Sequence, residues 1–442
     1  MCEPADNPAD RPLLPSDTMA SATGASKGAA SSSPVDILAI GCHSPACDFK
    51  PLRLQRRPVG EHDVLFDLKY CGVCHTDLHG AAGHLRTLYG SKVMDRCYEQ
   101  GFVPGHELAG VVVEVGSKVS NFAVGDHIGV GCMTDSCLKC DACLRGEEQK
   151  CLKNVGTYGA VDQHGRAQTY PLGRPVIGGY SSKMVIHERF GIRVPREYSL
   201  AAAGPIMCSG VTLYDPLRRY GAKPGSRVAI VGIGGLGTIG VKLAKAMGCT
   251  VTAITRSPGK AQYARERAGA DAVLISTDAA AMRAAKGSFD LVLNTIPSEH
   301  DYTVYTALVA KGGKHIVLGL NTGLIAGMVA EGVFGSSSRL TGSGIGGIEA
   351  TQAVIDLCAK HNILPEIVVK PVEDINRIFE KLNAANDTGE RYVLDIAGSL
   401  DEGAFERMKN VAPTKLGHPE PGLTLGKIVC GICGMLCCCR WR

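Results

Sequence analysis

The hydrophobic pattern changes period along the chain, and the changes mark its elements. Val64-Leu-Phe-Asp-Leu-Lys-Tyr70 alternates apolar with polar, as a half-buried strand does, and runs into Cys71 and Cys74. Val111-Val-Val-Glu-Val-Gly116 reads as another strand and turn. Arg227-Val-Ala-Ile-Val231 is a short apolar run of strand length, after which Ile239, Leu243 and Met247 recur at helical spacing. Strand patterns over 251–255, 290–295 and 315–320 continue the series, which predicts βα units on a parallel sheet. A helix over 350–360 and a strand over 391–395 are expected to rejoin the first half. Residues 1–34 are rich in Ala, Ser, Pro, Gly and Asp without any apolar period, so a disordered tail is predicted.

Length and composition place this pattern in a class. A chain of 442 residues can bury a large core and is expected to form two domains. A net charge of +4 is too mild to argue for nucleic acid. Nineteen cysteines would suggest secretion in a short chain, but many here sit in metal-ligand contexts and no signal-peptide h-region precedes them. A reducing, cytoplasmic setting is the expectation. A Ser-rich run from Met19, free of acids until Asp36, faintly suggests organelle targeting instead.

Two cysteine-bearing constellations carry chemistry. Cys137-Leu-Lys-Cys140-Asp-Ala-Cys143, closed by Cys151, aims four thiols at one point through short turns. Thiols so close in sequence rarely reach disulfide geometry, so a closed structural zinc lobe over 132–155 is predicted rather than unrelated buried cysteines. Around it lie Cys71-Gly-Val-Cys74-His75-Thr76-Asp77-Leu-His79, Val103-Pro-Gly-His106-Glu107 and Pro205-Ile-Met-Cys208-Ser-Gly-Val-Thr212. A Cys, a His and a Cys, with a Glu beside the His, make a donor set for a catalytic zinc with an open position. Each piece alone also fits an ordinary core cysteine or a satisfied histidine.

A third motif is Gly232-Ile233-Gly234-Gly235-Leu236-Gly237, between a strand and a helix. Its glycines permit a tight turn and close approach of backbone to a pyrophosphate, whose charge the helix N-terminus attracts. The next strand ends in Thr255-Arg256-Ser257-Pro-Gly-Lys260, where an NAD enzyme would place an acid for the ribose 2′-OH. Hydroxyls, Arg and Lys suit the 2′-phosphate of NADP(H); the plainer reading is an exposed basic turn.

In this order, from about residue 35 to 400, the motifs resemble the zinc-dependent medium-chain alcohol dehydrogenases. Within that superfamily they are similar to the cinnamyl alcohol dehydrogenase-like branch of NADP-dependent aldehyde reductases. The resemblance implies an α/β fold: a GroES-like, mainly β catalytic domain (35–208 and 347–400) interrupted by a doubly wound Rossmann domain (209–346). It implies Cys74, His106 and Cys208 as catalytic zinc ligands, with Glu107 coordinating when substrate and water are absent and Cys71 left to packing. Thr76 would pass a proton to or from the substrate oxygen and touch the cofactor, and His79 would be a later member of that relay. His75 would contact cofactor phosphate at most, and His127 would be structural. Thr212, Thr295, Gly319, Ser343, Gly344 and Ile345 would surround the cofactor. Two zinc ions per chain, NADP(H), a small aldehyde or alcohol substrate and a homodimer complete the expectation.

Two departures matter. Gly156 stands where lignin-forming plant members carry a tryptophan, which favours a broad-range reductase over a cinnamaldehyde specialist. The stretch 83–101 is longer than usual for the family and reads as an enlarged surface loop near the cleft mouth. Beyond residue 400 a tail, 401–442, ends in clustered cysteines (Cys430, Cys433, Cys437, Cys438 and Cys439) and arginines. It is too short of apolar residues to span a bilayer, but palmitoylation and peripheral membrane attachment would suit it. The rival readings are a true cinnamyl alcohol dehydrogenase, an NAD-linked polyol dehydrogenase, and a non-catalytic tail-anchored scaffold that senses NADPH.

Overall fold

Strand Asp63–Gly72, buried along most of its length, is the spine of the first half. One edge pairs antiparallel with Leu108–Val115. Lys183–His187 pairs with its first half and Arg391–Asp395 with its last three residues. The sheet runs Ile367–Lys370, Arg391–Asp395, Asp63–Gly72, Leu108–Val115, His127–Val130, Ile192–Arg193, with Lys183–His187 beside the spine. Phe66, Leu68, Leu108, Ile128, Met184 and Ile186 fill its interior. This computed structural model describes residues 33–86, 90–161, 174–319, 321–384 and 391–416. The cysteine cluster at 430–439 and nearly all of the 1–34 segment lie outside the described residues.

The second half is a six-stranded sheet with every neighbouring pair parallel: Ala272–Ile275, Thr250–Thr255, Arg227–Val231, Phe289–Asn294, Val309–Val317, Leu340–Gly342. Its central strands read as continuous apolar runs because helices cover both faces. The order reverses beside Arg227–Val231, and such a switch point opens a crevice at the carboxyl ends of the strands.

The halves are joined by one nearly continuous helical path. Helix Leu200–Pro205 leads into a π-helical turn, Ile206–Gly210, and then helix Val211–Arg219. Here the Ser209 hydroxyl donates to the Pro205 carbonyl at 2.7 Å. Ala109 and Ile192 of the first half share one core with Ile206, Val211, Val228 and Val354. As expected, Arg391–Asp395 returns to the first sheet after the parallel one is complete.

Two stretches differ from expectation. Residues 83–101 are not merely loop: Ser91–Gln100 is a helix that buries Met94, Cys97 and Tyr98. These positions are three and one apart, a helical stripe too short and too flanked by charge to stand out in sequence. Gly90 and Gly101 at φ 87° and 94° bound it. Past residue 400 the chain does not simply leave the domain. Ala404 and Met408 join the first core, and the Thr414 hydroxyl donates to the Cys47 carbonyl. Among the described residues no helix is long and apolar enough to cross a membrane.

Candidate active site

Helix His75–Ala81 starts where the spine strand ends, with Cys74 at its N-cap. Gly105, at φ 102°, turns the chain so that His106 and Glu107 face the same point. The π-helical turn brings Cys208 from the opposite side. Cys74, His106, Glu107 and Cys208 each place a donor atom within 4.8 Å of the others. His106 Nε2 lies 3.3 Å from Cys208 Sγ. Two thiols, an imidazole nitrogen and a carboxylate at this spacing fit a zinc ion.

The surroundings prepare that set. Hydrogen bonding with Cys208 and the nearness of His106 push the Cys74 thiol well down, while Cys208, bonded to Cys132 and Cys74, is pushed up. Burial alone would depress His106, but the Asp77 carboxylate outweighs it and holds the imidazole well above its ordinary range. Glu107 is fully buried and ion-paired with Arg391, and its Oε2 has no partner among the described residues. A Cβ on Gly72 would lie 2.1 Å from that oxygen, so glycine is needed for the carboxylate to sit there. Cys71 is buried with its thiol bonded to its neighbour's carbonyl, in keeping with a packing role.

Beside the donors, Thr76 Oγ1 stands 3.6 Å from Cys74 Sγ. His79, one helical turn on, places Nδ1 3.0 Å from His84 Nδ1. Burial, with His84 and His75 adding repulsion, depresses its imidazole to about 4. His75 instead reaches the Leu382 carbonyl at 3.1 Å.

The second thiol set also converges. Cys137, Cys140, Cys143 and Cys151 place their sulfurs within 4.8 Å of one another. Leu138 adopts φ 59° to fold the turn, and Cys140 caps the short helix Asp141–Leu144. Backbone N–H groups of Lys139 and Cys140 draw the Cys137 thiol down to about 6, whereas burial pushes Cys143 up to about 12. Four sulfurs with nothing else in the cluster fit a closed tetrahedral zinc.

The glycine motif forms the turn between Arg227–Val231 and helix Gly235–Ala246. Gly232 takes φ 89°, and a Cβ on Gly237 would lie 1.9 Å from the Gly232 carbonyl. Gly234 faces open space at the helix start, and Ile233 is buried beneath while Leu236 is half-buried. This cradle fits a pyrophosphate. The Thr295 hydroxyl donates to the Val231 and Gly232 carbonyls at 2.9 Å, so it shapes the turn rather than standing free for a ligand. Gly319 is held against the Ile296 carbonyl, where a Cβ would come to 1.9 Å. Thr212 is buried on helix Val211–Arg219, and Ser343 Oγ is buried with no partner among the described residues, beside the open Gly344. Ile345 lines a small cavity between the halves together with Cys132, Met207 and Val211. At the end of the second parallel strand Thr255 is buried, Arg256 and Ser257 are exposed and Lys260 is half-buried.

Three contributors had no sequence signal of their own. Asp77 is fully buried: Oδ1 takes bonds from His106 Nδ1 (2.8 Å) and the Gly105 N–H (3.2 Å), Oδ2 from the Cys74 N–H and the Tyr180 hydroxyl (3.0 Å each). Its place three residues into the helix is a capping-box position, the one available hint. Arg391 reaches Glu107 from 284 residues away. Cys132, just before the zinc lobe, bonds with Cys208. At Gly156 a Cβ would sit in ordinary contact with the Tyr158 carbonyl at 3.6 Å and the Cys132 carbonyl at 3.9 Å, so a side chain there is not excluded by the backbone.

Comparison with known proteins agrees with this geometry. Residues 60–196 match the family model for the alcohol dehydrogenase GroES-like domain, and 235–360 that for the zinc-binding dehydrogenase domain. Vomilenine reductase of Rauvolfia serpentina is 41% identical over 82% of this chain and 95% of its own. NADP-dependent alcohol dehydrogenase C 1 of Mycolicibacterium smegmatis is 41% identical over 78% of this chain and 93% of its own. The solved cinnamyl alcohol dehydrogenase SbCAD4 of Sorghum bicolor superposes with a TM-score of 0.72 at 35% identity, covering 83% of this chain and 99% of that one. The crystal structure of CAD from Helicobacter pylori complexed with NADP(H) gives 0.69 at 32% identity, covering 83% and 100%. With its GroES-like and Rossmann halves, this chain belongs to the zinc-dependent medium-chain alcohol dehydrogenases, an oxidoreductase of the cinnamyl alcohol dehydrogenase-like branch.

Proposed function

We propose that this dehydrogenase uses zinc and NADP(H) to interconvert aldehydes and primary alcohols across a broad range of substrates. The convergence of Cys74, His106 and Cys208 beside Thr76 carries the reading, because three protein ligands leave a fourth position for substrate. Those three residues would hold the catalytic ion, with Glu107 as an alternative ligand, and Cys137, Cys140, Cys143 and Cys151 a structural one. The zinc supplies a Lewis acid for the carbonyl oxygen and NADPH supplies the hydride. The chain supplies position and a proton. Thr76 holds that proton at Oγ1, suited to the task because a hydroxyl donates and accepts at once. Gly232, Gly234, Gly235 and Gly237 would seat the pyrophosphate, and Arg256, Ser257 and Lys260 the 2′-phosphate.

The absence of a side chain at Gly156, where lignin-forming members carry a tryptophan, supports breadth. The test is NADPH and NADH oxidation by the zinc-loaded protein across aliphatic, benzylic and cinnamyl aldehydes. NADPH-dependent turnover of all three classes is expected. Turnover confined to cinnamyl aldehydes would make it a cinnamyl alcohol dehydrogenase proper. No turnover at two bound zincs per chain would overturn the enzyme assignment at this site.

A further inference from the structure

His84 has no part in the reading above, yet it is built against the innermost imidazole of the relay. Its N–H bonds the His79 carbonyl at 2.9 Å, and Gly83 at φ 74° makes the turn that brings the rings together. The rings stand 5.3 Å apart, with Nδ1 facing Nδ1 at 3.0 Å. Helix Ser91–Gln100 braces the turn: the Tyr98 hydroxyl donates to the Ala81 carbonyl at 2.7 Å, and Arg86 pairs with Asp95 at 2.6 Å. His84 Nε2 is buried and has no partner among the described residues.

An Nδ1–Nδ1 hydrogen bond requires one ring to donate and the other to accept, so at most one of the two nitrogens carries a proton. Two neutral imidazoles meet this condition; two imidazolium ions would set donor against donor. The neutral form is the one favoured here, because burial lowers both rings and His84 further disfavours charge on His79. The other titratable or charged groups about the pair are His75 and Cys74 on the same helix, and Tyr98, Arg86 and Asp95 across from it.

We propose that His84 extends the proton relay of Thr76 and His79 by one imidazole, exchanging a proton with His79 through the Nδ1–Nδ1 hydrogen bond. This rests on the proposed proton role of Thr76 and on the relay from it through His79 that the family resemblance implies. During aldehyde reduction His79 gives up its Nε2 proton and takes the Nδ1 proton of His84. Because His84 is only half-buried as a residue, its ring can swing so that Nε2, buried in this structure, meets solvent and takes a replacement proton; flips of both rings then restore the starting tautomers with one proton passed inward. Alcohol oxidation runs the same transfers in reverse. His84 is thus a positioning and supply residue that acts only through His79.

The test uses the full-length, zinc-loaded protein and His84→Phe, His84→Gln, His79→Gln and the His79→Gln/His84→Gln double variant. Aldehyde reduction is followed from about pH 6 to about pH 9, in water and in deuterium oxide, with and without added imidazole. Loss of His84 is expected to lower kcat about 10-fold, below the ~100-fold of a direct acid–base group, with KM unchanged. The loss should be largest at alkaline pH, where protons are scarce, and added imidazole should restore part of it. The double variant should be no slower than His79→Gln alone. Nitrogen NMR of the labelled, substrate-free protein should show His84 protonated at Nδ1 and His79 at Nε2. An unchanged pH profile and solvent isotope effect in both folded His84 variants would overturn the proposal, as would multiplying losses in the double variant. A fully active His79→Gln would instead remove the relay on which it rests.

Discussion

Asp77 shows how one side chain can govern a site without touching the chemistry. It receives four hydrogen bonds, one of which fixes His106 with Nδ1 toward the carboxylate and Nε2 toward Cys208. Such outer partners set both the tautomer and the basicity of a ligating imidazole. Asp77→Asn replaces an acceptor oxygen with an NH₂ group, so at least one donor then faces another donor. Zinc affinity at the catalytic site is expected to fall about 10- to 100-fold, measured by competition with a graded chelator, with the four-cysteine site unaffected. Retention equal to wild type would show that Cys74 and Cys208 orient the ion unaided. The sequence displayed Asp77 within the Cys74-His75-Thr76-Asp77 motif but not its role, because Gly105, Tyr180 and His106 lie far along the chain.

At the scale of elements, the parallel sheet was readable because each strand is a short apolar run followed by a helical period. The glycine turn after Arg227–Val231 was equally legible, and the structure supplies its reason in the 1.9 Å approach a Cβ on Gly237 would make to the Gly232 carbonyl. Gly237→Ala must therefore displace the turn, and a displacement of about 1 Å at a positioning element costs on the order of 100-fold in function. NADPH titration of this variant should show a large loss of affinity while zinc content stays at the wild-type level. Undiminished binding would mean that the cofactor does not lie on this turn. Helix Ser91–Gln100 was missed for the opposite reason: its stripe of Met94, Cys97 and Tyr98 spans little more than one turn amid charged neighbours. Only packing into the first core beside Ala81, with the Tyr98 hydroxyl bonded to the Ala81 carbonyl, makes those residues core.

Across the whole molecule, the last strand of the catalytic sheet delivers Arg391 to a carboxylate from the first quarter of the chain. The Arg391–Glu107 pair is almost entirely out of water, and its worth lies in avoiding a lone buried charge. Arg391→Leu should destabilise the fold by about 3 to 5 kcal/mol, read from urea unfolding of the zinc-loaded protein. Pairing the change with Glu107→Gln should recover part of that loss, and an additive double variant would refute the coupling.

The chain by itself determined its sheet alternation, its glycine turn and the identity of its donor residues, because periodicity, turn chemistry and thiol spacing are local properties. Tertiary structure decided which donors meet, that Asp77, Arg391 and Cys132 join them, and that His79 faces His84. It also decided that the chain beyond residue 400 packs Ala404 and Met408 into the first core. Those outcomes depend on contacts between segments distant in sequence, where burial changes the cost of every charge and proton, and no local pattern records that environment.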